Sequence, residues 1–256
     1  MTEPSRGSGA ETTADTVTEI GGGVVLPARR ESVRLRTEDG LTLVGELALP
    51  RDREPVATLV CLHPLPTHGG FMDSHILRKA AARLPAIADL AVLRFNFRGV
   101  TSPHGTSQGE FGHGVEERHD LTAAMEFVAQ RALPNPWLLG WSFGTEVALK
   151  WGLRHPIVGA ILLSPPVHRT SLDELGAWAG SGKRLVAIIP ELDDYLRPDE
   201  ARERFAVVPE TELIAVEGGK HLWVGEKQTR TVLTEIVSRV HPDALPLPTE
   251  WIGPLT

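Results

Sequence analysis

A single cysteine, Cys61, occurs in the 256 residues, which excludes an internal disulfide and any metal site built from several thiolates. It lies in an apolar run and reads as a small buried hydrophobe. No stretch approaches the roughly 18 apolar residues of a membrane span, and the first residues lack the basic and apolar segments of a secretion signal. The expectation is a soluble, cytoplasmic protein. An excess of basic residues is also lacking: the net charge of -7 argues against nucleic acid or an anionic membrane surface as a partner. Part of that charge sits in residues 1–23, where Glu3, Glu11, Asp15 and Glu19 face only Arg6, so the body is weakly acidic. There is no G-x-G-x-x-G and no Walker pattern to support a nucleotide. His113 and His119 lie near Glu116 and Glu117, but they match no zinc spacing such as H-E-x-x-H, so no metal is expected.

What is present points to one α/β domain. Hydrophobic residues at 41% and charged residues at 23% are ordinary globular values, and the length suits a single sizeable core. Residues 1–23, rich in Ser, Thr, Gly and Glu, are expected to be a disordered tail. Strands are predicted at Val33–Arg36 and Leu41–Leu49, around the turn Glu38-Asp39-Gly40, and then at Val56–Leu62, Leu90–Phe97, Trp137–Leu139, Val158–Leu163, Arg184–Ile189 and Glu212–Val216. Helices are predicted at Ser74–Leu84, Val115–Ala132, Thr145–Trp151, Pro198–Phe205 and Lys227–Val240. This alternation implies a doubly wound, mostly parallel sheet with helices on both faces and an antiparallel hairpin at one edge. The body spans residues 24–240. A proline-rich extension, 241–256, should run extended, with Trp251 and Ile252 docking onto the body.

Gly140-Trp141-Ser142-Phe143-Gly144 joins a predicted strand to a predicted helix. A serine between two glycines at such a turn is the nucleophile-elbow pattern, because flanking side chains would collide there. A serine hydroxyl needs a base to take its proton, and the base needs an orienting acid. Two later strands end in Glu191-Leu192-Asp193-Asp194-Tyr195 and in Glu217-Gly218-Gly219-Lys220-His221. Ligands of open α/β sheets bind beyond the carboxyl ends of the strands, so Ser142, one of the two aspartates and His221 fall on one active edge in the order serine, acid, histidine. The developing oxyanion would be held by the amide of Phe143 and by an amide of the loop after Val56–Leu62. Pro64 and Pro66 have no N–H, which favours Leu65 between them as the donor in that loop. His63 is read as a residue that orders the loop.

The stretches His63…Gly69-Gly70-Phe71-Met72-Asp73, Leu93-Arg94-Phe95-Asn96-Phe97-Arg98-Gly99-Val100 and Gly140–Gly144 resemble the small, lidless serine hydrolases of the α/β-hydrolase superfamily, relatives of dienelactone hydrolase and of esterase- and peptidase-like enzymes. The resemblance covers about residues 31–240. It implies the α/β-hydrolase fold and acyl transfer without a cofactor on Ser142, Asp193 and His221. Asp193 is the choice it implies, since the family's acid stands third after a strand-ending glycine, where Pro190 stands here. Three departures are visible: His63-Pro64-Leu65-Pro66 replaces His-Pro-His-Pro, Thr101-Ser102-Pro103 follows Val100, and Ser142 takes the place of the cysteine of dienelactone hydrolases proper.

The segment between Ser164 and Arg184 is too short for a cap domain. The pocket should be open and bordered by Leu65, Phe71, Trp141, Phe143, Tyr195 and Trp223, an apolar rim that favours uncharged, short to medium acyl groups. The expected function is hydrolysis of a small-molecule ester or related acyl bond. The rivals are a non-catalytic binding protein on the same fold and other triad chemistries: C–C hydrolysis, perhydrolysis or acyl transfer.

Overall fold

The structure, a computed structural model, describes residues 16–255. The chain begins with β1 (Val17–Glu19), β2 (Arg29–Arg36), β3 (Thr42–Leu49), β4 (Ala57–Leu62), α1 (His75–Ile87) and β5 (Leu90–Phe95). A small hairpin, β6 (Thr101–Ser102) and β7 (Gly105–Thr106), interrupts the next loop and precedes α2 (Glu117–Gln130). Then come β8 (Pro136–Trp141), α3 (Phe143–Trp151), β9 (Gly159–Leu163), α4 (Leu172–Gly176) and β10 (Arg184–Pro190). The last elements are α5 (Pro198–Phe205), β11 (Glu212–Val216), α6 (Glu226–Val240) and β12 (Glu250–Ile252).

Eight strands form the central sheet in the order β11–β10–β9–β8–β4–β5–β3–β2. All neighbours are parallel except around β3, which pairs antiparallel with both β2 and β5. The parallel strands are buried on both sides, as their unbroken apolar runs require. Their side chains alternate between two cores. Leu59, Cys61, Leu139, Ile161 and Ile188 meet α1 and α6 through Ile76, Leu77, Leu233 and Ile236. Val60, Leu62, Leu138, Leu162 and Ile189 meet the opposite layer, including Leu121 of α2, Val147 of α3 and Phe205 of α5. Each fully buried leucine, isoleucine or phenylalanine contributes roughly 1.5–3 kcal/mol, and that sum holds the layers together.

The register brings the carboxyl ends of β4, β8, β9 and β10 into one row, with Leu62 opposite Gly140, Trp141 opposite Leu163 and Leu163 opposite Ile188. The chain has a mostly parallel doubly wound sheet and no cap domain; only the five-residue α4 interrupts the segment after β9. Element boundaries differ from the sequence reading by a few residues. The largest extensions at one end are β2, which starts at Arg29, and α1, which runs on to Ile87.

The expectation of a disordered tail over 1–23 falls mostly outside the described residues, but its last part departs from it. Val17–Glu19 pairs antiparallel with Glu250–Ile252, and Ile20 is buried. In the proline-rich extension Leu247, rather than Ile252, is the residue that packs into the core, while Ile252 stays 65% exposed. Arg230 of α6 holds this segment by donating to the carbonyls of Leu247 and Pro248. Among the described residues, no helix is long and apolar enough to cross a membrane.

Candidate active site

β8 delivers Ser142 at its tip and α3 departs from the next residue. Ser142 has φ 51° and ψ −117°, a conformation that non-glycine residues rarely adopt and that holds only when the surroundings enforce it. The two flanking glycines are required by close approach. A Cβ on Gly140 would stand 2.7 Å from the Gly144 carbonyl oxygen, and one on Gly144 would stand 2.0 Å from that of Leu62. Trapped this way, the half-buried serine projects from the row of strand ends.

His221 reaches it from the loop after β11. Its Nε2 lies 3.0 Å from Ser142 Oγ, and its Nδ1 lies 3.0 and 3.2 Å from the two carboxylate oxygens of Asp193. With the proton on Nδ1, His221 donates to Asp193 and accepts from the serine hydroxyl. Asp193 is buried and its Oδ1 also accepts from the amides of Tyr195, at 2.8 Å, and Leu196. Asp194 is exposed. The structure therefore brings Ser142, His221 and Asp193 into one hydrogen-bonded line and leaves Asp194 outside it. The His221 carbonyl is gripped from two sides, by the indole N–H of Trp141 at 3.1 Å and the hydroxyl of Ser164 at 3.2 Å. The ring of Tyr195 packs on the imidazole with centroids 4.6 Å apart.

Phe143 is the first residue of α3, so its amide has no acceptor within that helix. Leu65 lies in the loop after β4, directly before the short 3-10 turn Pro66–His68. His63 organises this loop: its Nδ1–H donates to the Pro64 carbonyl at 2.7 Å, and its Nε2 accepts from the Phe97 amide at 3.0 Å. Burial pushes its pKa down to about 4. Because the folded value lies below the unfolded one, the stability this histidine contributes is present at neutral pH and drains away as pH falls from about 6.5 toward 4. At pH 4.5 the loss should be on the order of 2–3 kcal/mol. Urea unfolding at pH 7 and 4.5 checks this: the wild type should lose more stability than His63→Asn, and equal losses would overturn it.

Two expected pocket residues lie elsewhere. Trp141 and Trp223 are buried in the core on the α1 and α6 face, not in the pocket. Strand alternation aims Trp141 away from the elbow's open side. Trp223, at φ 53°, turns inward while Leu222 and Val224 beside it point out. Phe143 is also buried as a side chain, edge-on to Phe97 and Phe111. Half-buried Phe71 borders a cavity of ≈ 340 Å³ with Val100 and Phe111, and exposed Tyr195 borders one of ≈ 570 Å³ with Val167, Leu172 and Val207.

The sequence reading also missed the buried carboxylates that tie down the surrounding loops. Glu117 accepts from the amides of Gly112 and Gly114, and Glu146 accepts from those of His168 and Arg169 and from the Thr170 hydroxyl. Asp120 accepts from the amide and side chain of Arg98; burial pushes its carboxyl up to about 6 despite the arginine. The available signal was a glutamate inside Val147-Ala148-Leu149's otherwise apolar helix. Among the described residues, no group of three or more His, Cys, Asp or Glu is placed to hold a metal ion.

Solved structures of other proteins share this fold. A lidless α/β serine hydrolase of Xanthomonas campestris superposes with a TM-score of 0.69 at 27% identity, over 84% of this chain and 96% of that one. The chain has the α/β-hydrolase fold. Two further structures superpose at identities that speak to the fold alone. One is a serine hydrolase homologue from Coxiella burnetii, with TM-score 0.69, 24% identity and coverage of 82% and 96%. The other is an esterase of Pyrococcus furiosus, with TM-score 0.64, 23% identity and coverage of 83% and 93%. In sequence, the chain is 37% identical over 118 residues to an uncharacterised protein of Rickettsia prowazekii (strain Madrid E), a match spanning 44% of this chain and 46% of the relative. No family model matches.

Proposed function

We propose that the chain is a serine hydrolase that cleaves an ester or related acyl bond of a small molecule through Ser142, His221 and Asp193. The observation that carries this reading is the unbroken line from the Asp193 carboxylate through the imidazole to the serine hydroxyl. In the proposed cycle, Nε2 of His221 takes the Ser142 proton as Oγ attacks the substrate carbonyl, and the resulting oxyanion is held by the amides of Phe143 and Leu65. The imidazolium, stabilised by buried Asp193, then protonates the leaving group. Water activated by the same nitrogen releases the acid and restores the hydroxyl. The Trp141 and Ser164 donors keep the histidine main chain in register through these steps.

A fluorophosphonate probe, which reacts only with an activated serine, tests the reading together with a panel of 4-nitrophenyl esters graded by acyl length. Covalent labelling at Ser142 and turnover of at least one ester are expected. No labelling and no turnover by a folded protein would favour a non-catalytic binding role. Product analysis in the presence of an alcohol separates hydrolysis from acyl transfer.

A further inference from the structure

The loop after β9 sets two polar residues, His168 and Arg169, against aromatic rings next to the triad, and it is built to hold them there. Glu146, fully buried in α3, spends its carboxylate on this loop alone: it accepts from the His168 amide at 2.7 Å, from the Arg169 amide at 3.0 and 3.1 Å, and from the Thr170 hydroxyl. Val167 just before them has φ 46°, so the chain is turned sharply at the cost of strain. From this anchored corner the two side chains diverge. His168 meets Tyr195, with centroids 5.9 Å apart, and Tyr195 in turn packs on His221. Arg169 lays its guanidinium over the ring of Phe143, 5.7 Å from the centroid, on the residue that follows Ser142.

Arg169 differs from the other arginines near the site. Arg94 is held by Glu46 and Asp73, and Arg98 by Asp39 and Asp120. Among the described residues Arg169 has no carboxylate partner, and its guanidinium donates to no acceptor; it is exposed and rests only on the aromatic face. A guanidinium placed over a ring face with no hydrogen-bond acceptor of its own keeps its N–H edge free, and that edge grips a carboxylate with two parallel hydrogen bonds. The direction of the reaction fixes which part of the substrate meets it. The leaving group must lie against Nε2 of His221, on the flank lined by Tyr195 and His168. The flank toward Phe143 and its arginine is then left for the acyl chain, beside the cavity bordered by Phe71 and Phe111.

We propose that Arg169 makes this site selective for esters whose acyl part carries a carboxylate, which rests on the acyl-transfer reading above and replaces the uncharged acyl group suggested by the sequence. The carboxylate binds the guanidinium edge while the scissile carbonyl sits at Ser142.

The test compares 4-nitrophenyl hemiadipate with 4-nitrophenyl hexanoate, esters of equal length that differ in a terminal carboxylate. Rates are corrected with Ser142→Ala as the blank. The wild type should favour the hemiadipate in kcat/KM. Arg169→Gln should lower the hemiadipate-to-hexanoate ratio by about ten- to a hundredfold, mostly through KM, and Arg169→Lys should keep part of it. Added salt should lower the same ratio in the wild type. An ester with its carboxylate on the leaving group instead, 4-carboxyphenyl hexanoate, should show no comparable dependence on Arg169. A ratio unmoved by Arg169→Gln while hexanoate is still cleaved overturns the proposal and leaves the hydrolase reading standing. Failure of the wild type to cleave any of the esters or to react with the fluorophosphonate sinks that reading, and the proposal with it.

Discussion

Ser142→Ala is expected to reduce ester turnover to below about 1% of wild type while leaving the fold intact, since loss of a triad nucleophile commonly costs several orders of magnitude. The geometry explains both halves of this outcome. Among the described residues Oγ makes one hydrogen bond, to His221 at 3.0 Å, so the hydroxyl is the group the chemistry needs and the fold barely uses. The positive-φ backbone at Ser142 is imposed by Gly140, Gly144 and the hydrogen bond its own amide donates to the Leu163 carbonyl, none of which the substitution touches. Alanine is no worse than serine at φ 51°, and the melting temperature should move by only a few degrees, the equivalent of roughly 1 kcal/mol. Measuring kcat/KM and the thermal midpoint on the same preparation checks both. Activity of several per cent in the variant would remove Ser142 from the nucleophile's role.

The second large effect separates two adjacent aspartates. Asp193→Asn should lower kcat by about 10²–10⁴, because an amide facing Nδ1 favours the imidazole tautomer that points a proton at Ser142. The amide oxygen can still accept from the amides of Tyr195 and Leu196, so the loop should survive and the loss should fall on chemistry rather than on folding. Asp194, exposed and outside the hydrogen-bonded line, should cost no more than about tenfold when changed to asparagine, an allowance for small displacements of the neighbouring loop. Side-by-side kcat values decide the matter: a larger loss at Asp194 would mean that the acid is misassigned.

The parts of the fold that could be read directly are those set by local periodicity. Apolar runs and helical spacing located α5 and β11 to the residue, and the loops that follow β8, β10 and β11 carried Ser142, the aspartate pair and His221. Strand ends in a parallel sheet meet in space, so residues far apart in sequence could be placed together before any contact was known. What escaped depends on direction or on distant partners. Tryptophans near the nucleophile looked like a pocket wall, yet pleat parity and a left-handed turn send Trp141 and Trp223 into the core. The pairing of β1 with β12 joins segments more than two hundred residues apart, for which no local pattern exists. Glu146 stands out as a charge beside an apolar stretch, but nothing in a helix sequence says which backbone amides will approach a buried carboxylate.

The β1–β12 ribbon has a consequence for how the molecule opens. It stands apart from the eight-stranded sheet, its strands are three residues long and mostly solvent-exposed, and a two-stranded ribbon is only marginally stable alone. It behaves as a separate low-energy unfolding unit, so amide protons such as Ile20's, bonded to Thr249, exchange with deuterium long before those of β4 or β8. Both segments must let go together, because each is the other's partner in the ladder. A protease that cuts near residue 250 would thus release residues 17–19 as well, while the sheet edge that carries Ser142, held by strands buried between two cores, stays closed.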